Sequence, residues 1–135
     1  MSGSKSDFLE NEILDHVLGG ADYARPASVF LALFTVAPSD SGGGTECTGG
    51  SYARKEVVNN PTNWPAAVSG AKSNGTEIAF IEATAPGWGE VVAFGIFDAL
   101  TVGNLLYWAD LTIHKTIDSG DTARFAIGDL DITED

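Results

Sequence analysis

The chain is 135 residues long, with 44% hydrophobic and 19% charged residues, which suits one core that buries about two thirds of the unfolded surface. Seven Lys and Arg against 19 Asp and Glu leave a net charge of -12, which opposes binding to nucleic acid or anionic lipid, since both need clustered cations. One cysteine, Cys47, excludes an intrachain disulfide framework and a cysteine-based zinc knuckle.

In chain order, the first seven residues lack the basic-then-apolar order of a secretory leader, so synthesis and use without Sec export are expected. A helix is predicted over residues 7–18. Ser6 or Asp7 caps it, Phe8, Leu9, Ile13, Leu14, Val17 and Leu18 recur at helical spacing, and Glu10, Glu12 and Asp15 lie between them. Gly19-Gly20 is expected to stop it through a left-handed glycine. Its apolar stripe either anchors a partner or covers one end of the fold.

After the helix, the sequence reads as short strands and turns. Residues 28–35 are apolar on both alternating faces and predict an inner strand. A turn-rich loop follows at residues 38–45, with Cys47 beyond it as an unremarkable loop thiol. Residues 52–58 predict a strand, then an irregular stretch contains Pro61, Trp64, Pro65 and Gly70. Asn74-Gly75 has hairpin chemistry and leads into a strand at 76–81. Further strands are expected at 91–97, 105–111, 122–127 and 130–133, joined by connections at 98–104 and 118–121. About seven strands with no helix between them predict a mainly β fold: one antiparallel β-sandwich or jelly roll over residues 1–135 with a short N-terminal α-helix.

Chemistry-bearing groups are sparse. His16 and His114 each stand without a metal-ligand partner at usual spacing, and no Gly-x-Ser-x-Gly elbow is present. Gly42-Gly43-Gly44-Thr45-Glu46 lacks the Gly-Lys-Ser/Thr ending of a phosphate loop. Asp118/Asp121 and Asp129/Asp131/Glu134/Asp135 do not follow a calcium-loop pattern, and side-chain-to-backbone turns or a solvated tail account for them. No catalytic, cofactor or metal residue is therefore assigned. Among the tryptophans, Trp108 alternates within a strand and reads as core. Trp64, beside Pro65, and Trp88, between two glycines, read as loop residues: sugar platforms, partner anchors or lids over the core. Gly19-Gly20-Ala21-Asp22-Tyr23-Ala24-Arg25 is echoed by Gly49-Gly50-Ser51-Tyr52-Ala53-Arg54, one recurrence that does not make a repeat protein.

The helix from Leu9 to Gly20, Tyr23-Ala24-Arg25-Pro26, Gly44-Thr45-Glu46, Gly49-Gly50-Ser51-Tyr52-Ala53-Arg54, Trp88-Gly89 and Gly95-Ile96-Phe97-Asp98 together resemble a family of small virion proteins of tailed bacteriophages. The resemblance runs from Leu9 to about Ile132; members are tail-fibre-like, and some phage proteins of this size are capsid cement proteins with jelly-roll folds. It implies a non-enzymatic virion protein made in the bacterial cytoplasm. The expectation drawn from it is a cement or decoration protein on the capsid exterior, clamping neighbouring major capsid proteins against DNA pressure. A tail or tail-fibre component and a carbohydrate-binding module are the alternatives. Expected partners are the major capsid protein and copies of the chain itself, without direct nucleic-acid or membrane contact. Expected partner-interface residues are Phe8, Leu9, Ile13, Tyr23, Arg25, Arg54, Trp64 and Trp88.

Overall fold

In the computed structural model, which describes residues 2–134, the helix falls where the apolar spacing places it. α1 spans Asp7–Leu18, and the Ser6 hydroxyl caps it by accepting from the Leu9 N–H at 3.2 Å. Its stop differs from the expected one. Gly19 is extended (φ -145°) rather than left-handed, and glycine is needed there because a Cβ would lie 2.8 Å from the Asp15 carbonyl oxygen. Close approach selects the residue, not backbone handedness.

Ten strands accompany the helix among the described residues: β1 Ser2–Lys5, β2 Ser28–Val36, β3 Thr45–Glu46, β4 Lys55–Val58, β5 Ala71–Ser73, β6 Ile78–Ala79, β7 Gly89–Phe97, β8 Leu105–Ile117, β9 Arg124–Phe125 and β10 Asp131–Thr133. Seven of them fall on expected strands, β4, β6, β9 and β10 with shorter bounds and β2, β7 and β8 with longer ones. β8 runs six residues past its expected end. β1, β3 and β5 arise where polar or irregular sequence predicted none, because pairing with neighbours outweighs the weak strand preference of Ser, Gly and Lys.

The strands make a sheet ordered β3-β2-β7-β8-β1-β10-β5, with β4 also on β2, and a separate β6-β9 pair. Pairing is antiparallel except between β1 and β10. The inner position expected for β2 is observed: β7 lies on one side, β3 and β4 on the other. Leu31 and Leu33 enter the main core, while Ala32 and Phe34 form a small second cluster with Ala93 on the opposite face. The β6-β9 pair supplies the facing layer. Phe125 meets Phe94 edge-on at 6.3 Å, and Phe80 meets Trp88 at 6.1 Å. The result is a mainly β fold with sandwich packing, whose core cluster extends from Leu9 to Ile132.

Several local readings are corrected. Asn74 is not a hairpin apex but a buried cross-link: its amide donates to the Thr76 and Ala126 carbonyls and its Oδ1 accepts from the Leu130 N–H. Trp108 is half-buried, and its indole N–H donates to Asp40 at 2.8 Å. Cys47 is buried, and burial with the adjacent Glu46 charge pushes its thiol up to about 11. The β7–β8 ladder also carries a large bulge. Between the Val91–Lys115 and Ala93–Asp110 pairs, Val92 alone spans four residues of β8, Leu111 to His114.

Candidate functional site

The helix commits only its N-terminal half to the core. Leu9 is buried and Phe8 packs against the core. One and two turns further on, Leu14 is 56%, Val17 67% and Leu18 80% exposed. Of the two roles open to the apolar stripe, Leu9 and Phe8 cover the sandwich and the C-terminal half is left uncovered.

Beside this uncovered half lies a mostly apolar cleft of about 550 Å³. One wall is α1 with the following segment, through Leu9, Ile13, Tyr23 and Arg25; the other is the 59–72 segment, with Trp64. Five of the eight expected interface residues thus converge on one cavity, brought together from opposite sides of a fold whose sequence separates them by about 40 residues.

Local hydrogen bonds build each wall. The Tyr23 N–H donates to His16 Nδ1 at 3.1 Å, fixing the turn after the helix. Asn60 Oδ1 accepts from the N–H groups of Thr62 and Asn63, making the turn that presents Trp64. Asn59 donates to the Pro26 carbonyl at 2.9 Å and ties the two walls together. Lys72 Nζ donates to the carbonyls of Trp64 and Pro65, and Glu134 is taken by Lys5 and the Tyr107 hydroxyl.

Three polar groups of the cleft have no such partner among the described residues. The Trp64 Nε1–H is sealed from solvent without an acceptor. Neither the Arg25 guanidinium nor the Tyr23 hydroxyl has a side-chain hydrogen bond or ion pair among the described residues. Burial, followed by the charges of Asp98 and Glu12, raises the Tyr23 hydroxyl above its ordinary range, so it stays protonated at neutral pH. The cleft therefore offers the Arg25 and Tyr23 donors and apolar surface.

The other three expected interface residues are not brought there. Trp88 is 4% exposed; its indole N–H donates to the Gly50 carbonyl at 2.9 Å and its ring meets Tyr52 edge-on at 5.1 Å. It is a core residue in a loop, unable to offer a face to a sugar or a partner. Phe8 does not line the cleft and packs against the main core cluster instead. Arg54 is spent inside the fold. It binds Glu46 in a two-pronged pair at 3.0 and 2.9 Å, donates to the carbonyls of Ala99 and Val102, and lies 3.8 Å over the Phe97 ring. Tyr52 completes this cluster, donating to Glu46 at 2.6 Å and accepting from the Leu33 N–H. The echoed Tyr-Ala-Arg segments thus differ in their bonding: Tyr52 and Arg54 are half-buried and tied to Glu46, whereas Tyr23 is half-buried and Arg25 exposed, neither held that way.

Leu14, Val17 and Leu18 were legible as apolar helix positions; the signal that would have marked them as surface is their place beyond Leu9 toward the glycine stop. Elsewhere, Asp121 accepts from a backbone N–H three residues away, the turn role read for it, and Asp129 does the same where a solvated tail is expected. No group of three or more His, Cys, Asp or Glu able to hold a metal occurs among the described residues, and none of their helices is long and apolar enough to cross a membrane.

No curated protein matches the sequence. A family model described as podophage GP4 fiber I protein gp80 matches residues 4–133, nearly the whole chain. The chain belongs to this family of phage virion fibre-type structural proteins.

Proposed function

We propose that this chain is a non-enzymatic building block of the phage tail-fibre apparatus, which docks onto a neighbouring virion protein through the uncovered half of α1 and the adjoining cleft. The observation that carries the reading is the placement of Leu14, Val17 and Leu18, all large, apolar and more than half exposed, beside a donor-lined apolar cavity. Clustered exposed apolar side chains cost solubility unless something covers them. The fibre description of the family moves the reading from the shell to the tail. The acidity that recommended the capsid exterior serves a tail position as well, since a charge of -12 keeps either surface soluble and clear of DNA.

Immunogold labelling of purified virions is expected to mark the tail. Leu14→Glu and Leu18→Glu alter exposed positions, so both variants should fold with unchanged melting temperature yet fail to enter virions. Label over the capsid shell would return the protein to the cement role. Normal incorporation of both variants would remove α1 as the docking face.

A further inference from the structure

We infer that the partner received at α1 is a basic protein segment, an apolar ridge flanked by lysine or arginine, and not a second copy of this chain. The inference rests on the docking role of α1 proposed above and adds the chemistry of what docks. The uncovered face has an apolar centre (Leu14, Val17 and Leu18) and an acidic surround. Asp7, Glu10 and Asp15 lie on or beside that side of the helix, and Asp22 lies on the segment that follows it. On a helical wheel Glu10 falls between Val17 and Leu14, so a carboxylate sits within the stripe as well as along its border.

Of the seven Lys and Arg, four are engaged elsewhere, and Lys55 and Lys115 lie on β4 and β8. Lys5 pairs with Glu134, Arg54 with Glu46 and Arg124 with Glu77, while Lys72 is held by two carbonyls. Of the two cations lining the cleft, Arg25 is the one that no carbonyl or carboxylate holds among the described residues. Two copies meeting through this face would bring eight carboxylates together around a small apolar contact, with two arginines against them. Like charges in such proximity oppose association, whereas a partner with Lys or Arg on the flanks of an apolar ridge gains from every rim contact. A helix laid across the outer side of α1 fits the shape, with its apolar side on Leu14, Val17 and Leu18.

The test uses the full chain and two synthetic 18-residue helical peptides that share a leucine stripe, one flanked by lysines and the other by glutamates. Calorimetry should show the lysine peptide binding at least about tenfold more tightly than the glutamate peptide. Its affinity should fall by about fivefold or more between roughly 50 and 300 mM salt, where screening shortens to a few ångströms. Leu14→Ser/Leu18→Ser should weaken it about tenfold, and so should Glu10→Lys/Asp15→Lys, which keeps the apolar centre. Equal binding of the two peptides would overturn the inference. So would undiminished binding of the lysine peptide by the serine variant, which would reduce the effect to bulk charge. A concentration-dependent dimer of the free chain, abolished by Leu18→Glu, would overturn it in favour of self-association. Virion incorporation of Leu14→Glu and Leu18→Glu reports on the docking face whatever the partner's charge, so the two readings fail separately.

Discussion

Replacing Arg54 by alanine removes the group that joins three segments. Its guanidinium holds Glu46, fastens the carbonyls of Ala99 and Val102, and caps the Phe97 ring that covers the second core cluster. The side chain is 8% exposed, so water does not replace what is lost. Breaking one side of a buried ion pair costs about 3–5 kcal/mol. Glu46 retains 24% exposure and the Tyr52 hydroxyl as a donor, which places Arg54→Ala in the lower part of that range, about 3–4 kcal/mol. With about 2.1 cal/mol/K of unfolding entropy per residue, the 135 residues give roughly 0.28 kcal/mol/K, hence a melting temperature lowered by about 11–14 °C. Arg54→Lys keeps a charge but not the planar fork, and about half the loss is expected. Differential scanning calorimetry of the two variants and of Arg54→Ala in a Glu46→Gln background decides the matter. A drop below about 3 °C for the alanine variant, or a lysine variant as stable as the parent, would refute the assignment of Arg54 as a clamp.

The buried Cys47 thiol, raised to about 11, holds its proton longer folded than unfolded. Its contribution is complete below about pH 8.5 and lost as the pH climbs toward 11, so urea midpoints should fall across that window and fall less in Cys47→Ala. Tyr52 and Tyr107, both raised chiefly by burial with Glu46 and Glu134 adding to it, act in the same direction at still higher pH. Trp64→Phe removes a buried N–H that lacks an acceptor while retaining the ring, and should leave the isolated chain as stable or up to about 1 kcal/mol more stable by denaturant titration. Val102 is a β-branched residue at φ +57° and is highly exposed, so Val102→Gly should raise stability by about 0.5–1 kcal/mol, strain relief exceeding the added backbone entropy. A destabilised Val102→Gly would show that the valine side chain is needed where it stands.

The helix and the long central strands were readable because their signals are local. Ser6, the three-to-four spacing and the glycine pair delimit α1, and the doubly apolar run of β2 announces an inner position. What escaped depends on residues far away in sequence. Ser2 to Lys5 carry no strand signal and are extended only because β8 and β10 flank them. The polar end of β8 is held by β7 across a four-residue bulge that no periodicity encodes. Trp88 was correctly read as a loop residue, yet Gly50, at φ +52° with its would-be Cβ 2.6 Å from the Thr84 carbonyl, lets that loop close until the indole enters the core. The cleft residues were individually suspected, but their convergence required the 59–72 segment to fold back over the helix, which its Asn and Pro content alone does not dictate.

The position of β1 bears on how the polypeptide acquires its shape during translation. Lys5 finds Glu134 across 129 residues and Ser6 finds Leu105 across 99, so β1 stays unpaired until those distant partners have been synthesised. Such distant closure slows folding. It also makes β1 a rung whose two neighbours, β8 and β10, are both about a hundred residues or more away along the chain.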